Sequence, residues 1–148
     1  MSDAEETSAA PTDKVAAALA RAREAQPAWA ALTPAERADR LRPLKKRLLR
    51  RADEIATTLT REAKKPHEEG LLAEVLPNAD LVDYWTRSIE ELLAPELLEL
   101  DPIAYPGKSG RVLREARGVV ALITPWNYPV AIPLRTLLPA LVSGNAVL

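Results

Sequence analysis

The feature that most constrains the fold is a short apolar run that ends in a turn with two prolines. Residues 119–123 (Val-Val-Ala-Leu-Ile) contain no polar side chain and are rich in β-branched residues, which predicts a fully buried strand. Pro125 and Pro129 then remove two backbone donors and fix two φ angles, so the chain must leave the sheet there. Open parallel sheets bind ligands at the carboxyl ends of such strands.

The pattern after this turn predicts a helix and then a second strand. Apolar residues recur at helical spacing over residues 129–143, although Pro139 should bend the helix. Gly144 suits the position just after a helix end, and residues 145–148 begin a second strand. Strand, turn, helix and strand make a βαβ unit. Because two parallel strands with an open edge are not a stable endpoint, we expect the chain to stop within a domain.

The N-terminal part is predicted to be helical after a disordered tail over residues 1–13. Three helices are expected within residues 14–93. The first covers about residues 14–31, the second starts at Thr33 and is closed by residues 62–66, and the third covers about residues 68–93, with kinks at Pro27 and Pro77. Thr33, Pro34 and Glu36 predict a capping box at the start of the second helix. His67 falls in a polar turn and is expected to be an exposed loop residue. The third helix should bury a broad apolar face. That face comprises Leu72, Val75, Leu76, Ala79, Val82, Trp85, Ile89 and Leu92.

Residues 94–117 form an irregular segment rich in proline and glycine. Charges occur on both faces of residues 111–117, which favours a strand exposed to solvent or to a partner subunit.

Composition narrows the class of protein. The chain has 148 residues, a formal net charge of −1, no cysteine and one histidine. This balance argues against a nucleic-acid or membrane surface, and the lack of thiols argues against a thiolate metal site. The basic residues of the second helix are interleaved with acidic ones, as on a solvated face. No apolar stretch approaches the ~18–20 residues of a membrane span. We therefore expect a soluble, cytoplasmic protein without a metal.

Two segments together resemble the aldehyde dehydrogenase superfamily. They are residues 123–129 (Ile-Thr-Pro-Trp-Asn-Tyr-Pro) and residues 138–148 (Leu-Pro-Ala-Leu-Val-Ser-Gly-Asn-Ala-Val-Leu). Residues 62–66 (Glu-Ala-Lys-Lys-Pro) are similar to the family's Glu-Thr-Gly-Lys-Pro turn, with Ala63 and Lys64 where Thr and Gly are usual. The resemblance implies the N-terminal portion of a family member. It also implies an α/β fold in which N-terminal helices precede the start of an incomplete Rossmann-like parallel sheet domain, so that residues 14–148 form part of a cofactor-binding domain.

The resemblance also implies a function. Family members oxidise an aldehyde to a carboxylic acid through a cysteine thiohemiacetal, with NAD or NADP, and are commonly dimers or tetramers. Asn127 matches the side-chain amide that stabilises the oxyanion. Tyr128 matches an aromatic residue at the mouth of the substrate tunnel. The positions that line the nicotinamide cofactor are Ile123, Thr124, Pro125 and Trp126. Because the chain has no cysteine, it is expected to be inactive alone.

Several alternatives stay open at this point. Asn127 could be a turn or helix-capping residue, since asparagine favours both places. Tyr128 could pack against the next helix, and Trp29 and Trp85 favour core packing over ligand stacking. The parent protein could instead be a reductase of the same superfamily that acts on acyl-thioesters or acyl phosphates. A non-catalytic helical interaction module is the alternative from another class.

Overall fold

The computed structural model describes residues 11–148. In chain order its elements are α1 (Pro11–Ala30), α2 (Pro34–Leu41), α3 (Pro43–Arg50), α4 (Ala52–Ala63), α5 (His67–Glu69), a π-helical segment (Gly70–Val75), α6 (Leu76–Leu92), β1 (Glu96–Leu98), β2 (Gly110–Val112), β3 (Val119–Val120), α7 (Ala131–Val142) and β4 (Ala146–Val147). β1 and β2 pair antiparallel, whereas β3 and β4 pair parallel with α7 as the crossover. The predicted α/β class, with helices before the start of a parallel sheet, is confirmed.

Helix α6 lies at the centre of the helical region and packs against α2, α3 and α7. Two apolar clusters join these helices. They comprise Ala38, Ile89 and Val142 in one cluster, and Leu48, Val82 and Leu138 in the other. Trp85 is half-buried and packs against both clusters, which confirms its predicted role in the core. Its ring meets that of Tyr84 edge-on, with centroids 5.3 Å apart.

The N-terminal boundary of the first helix differs from the prediction. Residues 1–10 of the predicted tail lie outside the described residues, but Pro11–Asp13 belong to α1. Proline is favoured in the first helical turn and an acidic residue there complements the helix dipole, so these residues extend the helix.

The predicted second helix forms as three shorter helices. Its start is confirmed, because Thr33 N donates to Glu36 Oε2 at 2.7 Å and Glu36 N donates to Thr33 Oγ1 at 3.2 Å. The helix is interrupted at Arg42 and again at Arg51. The first break follows from Pro43, which has no N–H to continue the hydrogen-bond ladder.

The predicted third helix contains a π-helical segment that the apolar pattern did not predict. A π-turn inserts one extra residue, so positions before it rotate by roughly 100° relative to α6. Leu72, within the π-helical segment, is 67% exposed, although it was predicted to face the core. Leu76 and Leu92 lie at the two ends of α6 and are each 42% exposed, so their predicted burial was wrong as well. The segment accommodates Pro77 in the first turn of α6. His67 begins α5, is half-buried and lies 3.0 Å from Asp53 Oδ1, so its prediction as an exposed loop residue was wrong.

The segment before the parallel strands contains a ribbon that was only half predicted. β1 was missed because it has three residues, all exposed, between prolines. The predicted exposed strand over residues 111–117 is confined to Gly110–Val112, which pairs with β1 in the register Leu97 to Arg111.

The apolar run at residues 119–123 is less buried than predicted. Only Val119 and Val120 are in the strand, both half-buried, and Ile123 is 96% exposed. Within residues 11–148, β4 is the only strand that pairs with β3, so the other edge of β3 has no strand partner there. The parallel ladder still reaches Leu122, whose N donates to Leu148 O at 2.7 Å.

Candidate active-site turn

Residues 124–130 form a turn that leaves the carboxyl end of β3 and enters α7. All six residues predicted for a site lie on this turn or immediately before it. They are Ile123, Thr124, Pro125, Trp126, Asn127 and Tyr128. Thr124 is half-buried and the other five are exposed, with Trp126 81% exposed and Tyr128 37% exposed. A parallel strand followed by such a turn has the geometry in which open sheets bind ligands.

The structure removes one alternative for Asn127. The N-cap position of α7 is Val130, three residues further on, and no side-chain hydrogen bond caps the helix from there. An asparagine that capped this helix would have to occupy that position. Asn127 therefore does not cap α7. Its side chain lies exposed on the turn.

A carboxylate from the π-helical segment caps α7 instead. Glu74 is fully buried, and its Oε2 accepts hydrogen bonds from Val130 N at 3.1 Å and Ala131 N at 2.8 Å. Negative charge at a helix N-terminus complements the helix dipole and satisfies amides that have no partner within the helix. Asn78 Nδ2 donates to the backbone oxygen of Glu74 at 2.6 Å. The first amides of α7 thus bond to a residue that is 56 positions away from Val130 in sequence.

Lys65 balances the charge of this carboxylate. Its Nζ lies 3.0 Å from Glu74 Oε1 and 3.2 Å from Glu69 Oε1. The same ammonium lies 3.6 Å from the centre of the Tyr128 ring, within range of a cation–π interaction. Burial by itself lowers the pKa of Lys65, but the hydrogen bonds and charges of Glu74 and Glu69 outweigh burial and raise the pKa. Lys65 therefore connects the buried carboxylate to the turn.

The backbone before Lys65 explains how this side chain reaches the site. Lys64 ends α4 in the left-handed conformation, with φ 57° and ψ 27°, and its N–H donates to Leu59 O. The left-handed cap thus forms with lysine at the position where glycine is usual in the resembled family.

On the next element, Gly70 allows close packing, because a Cβ there would lie 3.2 Å from Ala56.

Sequence reasoning missed Glu74 and Lys65 as parts of the site. The available signal was a polar pair beside the apolar stripe of the predicted third helix. Glu74 and Asn78 are four residues apart and directly precede Val75 and Ala79, two residues of the apolar stripe. All four residues are buried. A charged residue next to a core stripe must find a partner, since an unpaired buried charge is very costly.

The opposite end of α7 is held by a group of donors. Arg37 is buried, and its Nε donates to Val142 O at 2.8 Å while Nη1 donates to Ala30 O and Leu32 O. Burial lowers the pKa of Arg37. Trp29 Nε1 donates to Leu141 O at 2.8 Å and Gln26 Nε2 donates to Gly144 O at 3.1 Å. Trp29 thus anchors α1 to α7, which supports a packing role in place of ligand stacking.

The chain turns back into the sheet at this end. Gly144 has φ 94°, which confirms its predicted position after the helix. The buried Asn145 accepts a hydrogen bond from Gly118 N at 3.1 Å and donates from Nδ2 to Ala140 O at 3.1 Å. These bonds tie the start of β3 to the end of α7.

The exposed surface before Asn127 suits a flat aromatic ligand. Ile123 and Trp126 present apolar area next to the half-buried Thr124. Such a surface fits a nicotinamide ring, which binds through apolar contact and a few polar groups. These 148 residues contain no Gly-rich GxGxxG phosphate loop.

The architecture is that of an α/β protein in which N-terminal helices precede the start of a Rossmann-like parallel sheet, with an exposed turn between β3 and α7. Comparisons with known proteins identify the family. Residues 3–148 match the aldehyde dehydrogenase family, and the chain belongs to that family. The resemblance of residues 123–148 to the N-terminal portion of this superfamily is thereby confirmed.

Individual relatives agree with this assignment. The chain is 38% identical over 130 residues to a 4,4'-diapolycopene aldehyde oxidase from Methylomonas sp., covering 88% of this chain and 24% of the relative. An NAD-dependent benzaldehyde dehydrogenase from Corynebacterium glutamicum is similar in structure, with a TM-score of 0.80 and 32% identity over 91% of this chain and 28% of that one. An NADP-dependent enzyme from E. coli gives a TM-score of 0.82 and 31% identity over 91% and 27%.

The chain thus spans about a quarter of the length of the relatives it matches. Within the described residues, no helix is both long enough and apolar enough to cross a membrane.

Proposed function

We propose that the chain supplies the oxyanion-binding turn of an NAD- or NADP-dependent aldehyde dehydrogenase. One observation carries the proposal. Asn127 lies exposed at the carboxyl end of β3 and does not cap α7. The turn that carries it leads into amides that donate to Glu74. Membership of the family and similarity to both an NAD-dependent and an NADP-dependent enzyme support a nicotinamide cofactor.

The chemistry assigned to Asn127 follows from its amide. When a thiolate adds to an aldehyde, the carbonyl oxygen gains negative charge. A neutral N–H donor held beside that oxygen stabilises the charge and cannot compete as a base. The thiolate must come from outside these 148 residues, because they include no cysteine. The isolated chain is therefore expected to have no dehydrogenase activity.

The residues before Asn127 are assigned to the cofactor. Ile123, Thr124, Pro125 and Trp126 would hold the nicotinamide ring through apolar surface and backbone contact. The cofactor, when bound, supplies the hydride acceptor for the oxidation. Tyr128 would border the aldehyde entrance, with its ring held against Lys65.

The assembly and location are also proposals. The β1–β2 ribbon exposes Leu97 and Val112, so it could extend a sheet in a homodimer or tetramer. We expect a cytoplasmic enzyme that acts on a small aldehyde and binds neither nucleic acid nor membrane. A reductase of the same superfamily that acts on acyl-thioesters or acyl phosphates would use Asn127 for the same oxyanion.

The test is substitution of Asn127 in the full-length enzyme that carries this chain. Asn127→Ala should raise the activation free energy by roughly 3–4 kcal/mol, the effect of one oxyanion donor. Because that hydrogen bond belongs to the transition state, kcat and kcat/KM should fall together. Asn127→Asp should also abolish turnover, because a carboxylate repels the developing oxyanion. Steady-state kinetics corrected for the folded fraction measure both effects.

Asn145→Ala is the matched control for the loss of an amide. Asn145 is buried and bonds only to protein groups, so its loss should reduce stability and leave turnover per folded molecule near normal. Near-normal turnover in both Asn127 variants would remove the oxyanion assignment.

A further inference from the structure

We infer that Glu74 is a positioning residue for Asn127, which it holds in place through the first amides of α7. This inference rests on the proposed function of Asn127. Glu74 lies on the π-helical segment, is fully buried, and reaches Val130 N and Ala131 N with a single oxygen. These two amides follow Asn127 by three and four residues, so the carboxylate fixes the point at which the turn becomes helix.

Among residues 11–148, Glu74 is the only side chain that bonds to the first amides of α7. The side chain of Val130 cannot cap α7, so an acceptor for the two amides has to come from another element. Glu74 supplies it from a position 56 residues earlier in the chain. Because the carboxylate is buried and hydrogen-bonded, its position is set by the packing of the π-helical segment. Moving the carboxylate would therefore move the amides and the turn that precedes them.

Lys65 provides a second connection between Glu74 and the turn. Its ammonium lies 3.0 Å from Glu74 Oε1 and 3.6 Å from the centre of the Tyr128 ring. Tyr128 is the residue after Asn127. Lys65 therefore contacts the residue next to Asn127, and it is paired with the same carboxylate, Glu74, that caps α7.

A geometric role of this kind predicts a kinetic effect without contact to substrate. A misplacement of roughly 1 Å in a group that acts on the transition state costs about a hundredfold in rate. Glu74→Gln keeps the size of the side chain but removes its charge, and leaves Lys65 without its buried partner. We expect kcat and kcat/KM of the full-length enzyme to fall together by about ten- to a hundredfold per folded molecule.

The chain offers a matched control in Glu69. This carboxylate also pairs with Lys65, at 3.2 Å, but its side chain is 44% exposed and it makes no bond to α7. Glu69→Gln therefore changes the charge around Lys65 by the same amount and leaves the helix amides capped. Its kcat should stay within about twofold of the wild type, because Glu69 is partly exposed to solvent and Lys65 keeps its bond to Glu74.

A double-mutant cycle separates positioning from simple structural support. If Glu74 acts through Asn127, Glu74→Gln should lower kcat in the wild-type background and change it by less than about twofold in the Asn127→Ala background. Equal losses in the two backgrounds, or no loss in the wild-type background, would overturn the inference. Should Glu74→Gln fail to fold, the same cycle with Glu74→Asp decides, because the shorter side chain keeps the charge and displaces the acceptor.

The same experiment distinguishes this inference from the proposed function. An active wild-type enzyme that loses turnover in Asn127→Ala supports the oxyanion role whatever Glu74 does. An Asn127→Ala enzyme with normal turnover defeats the proposed function first. A Glu74 effect that does not depend on Asn127 defeats only the positioning role.

Discussion

The two ends of α7 are both held by buried charges from the N-terminal helical region, but the charges are balanced in different ways. At the N-terminal end, Glu74 accepts from two helix amides and is paired with the ammonium of Lys65. At the C-terminal end, Arg37 donates to three backbone carbonyls, and no carboxylate forms an ion pair with it among the described residues. Both signs complement the helix dipole.

The ends also differ in what the local sequence contributes. At the C-terminal end, Gly144 N and Asn145 N already bond to the carbonyls of Leu141 and Ala140, so the helix is closed locally as well as by Arg37. At the N-terminal end the closing group is Glu74. One end of α7 is therefore closed by its own backbone as well as by Arg37, whereas the other end depends on a single carboxylate next to the proposed site. Loss of Arg37 should therefore affect mainly stability, and loss of the Glu74–Lys65 pair should affect stability and function together.

The largest expected effect is at the C-terminal end. Arg37→Met keeps an unbranched apolar stem but removes the guanidinium, so the carbonyls of Val142, Ala30 and Leu32 lose this side-chain donor. We expect the free energy of unfolding of the full-length enzyme that carries this chain to fall by about 3 kcal/mol, since losing hydrogen bonds to a charged group and leaving buried acceptors unpaired are each costly. Urea denaturation followed by circular dichroism measures the loss.

Arg40→Met provides the control for Arg37. Arg40 lies on the same helix but is exposed, so its replacement should change stability by no more than about 0.5 kcal/mol. If Arg37→Met costs no more than Arg40→Met, the guanidinium does not hold the end of α7 and the comparison between the two ends fails.

A smaller effect is expected at the N-terminal end. Lys65→Met should cost about 1–2 kcal/mol, less than a fully buried pair, because Glu74 keeps its bonds to the α7 amides. The pH dependence gives the sign. The folded-state pKa of Lys65 is raised, so its contribution is complete below the unfolded pKa of about 10.4 and is lost as pH rises through the folded pKa. The wild-type chain should therefore lose this stability above roughly pH 10.5, and Lys65→Met should not show that component.

Lys46→Met is the control for this loss of charge. Lys46 is exposed on α3, and its replacement should leave both stability and the alkaline pH profile close to the wild type. An alkaline loss of the same size in Lys65→Met would show that another group causes it.

The elements that could be predicted from sequence depend on local signals. The capping box of Thr33 and Glu36, the turn between two prolines and the glycine after α7 each involve residues within a few positions of one another. These elements are determined by φ preferences and by hydrogen bonds between residues that are close in sequence, so the residue types alone indicate them. The motif around Asn127 is also contiguous, so the candidate site could be placed from sequence.

The groups that hold the site could not be predicted in the same way. Glu74 bonds to amides 56 and 57 positions away, and Arg37 bonds to a carbonyl 105 positions away. These long-range contacts depend on how α6 and α7 pack, and on a π-turn that shifts the apolar stripe. The predicted burial of Ile123 failed for a related reason, because burial depends on which strands and helices cover β3 and not on the apolar run itself.

The smallest expected effect concerns the helix end that introduces Lys65. Lys64 holds φ 57°, a conformation that costs a residue with a Cβ but not glycine. Lys64→Gly should therefore raise the free energy of unfolding by about 0.5 kcal/mol. Lys64→Ala is the control, because it removes the same bond from Lys64 Nζ to Arg61 O but keeps a Cβ at positive φ, and it should give no gain.

The measurement for Lys64 is again urea denaturation, in the wild-type and Lys65→Met backgrounds. The cap is closed by the backbone of α4, whereas the ion pair of Lys65 is formed by side chains. The gain from glycine should therefore be the same in both backgrounds, within about 0.3–0.5 kcal/mol. A gain that disappears in Lys65→Met would mean that the left-handed turn acts by directing Lys65 towards Glu74. In that case the N-terminal end of α7 would depend on a local backbone conformation after all, and the contrast with its C-terminal end would be smaller than the hydrogen bonds indicate.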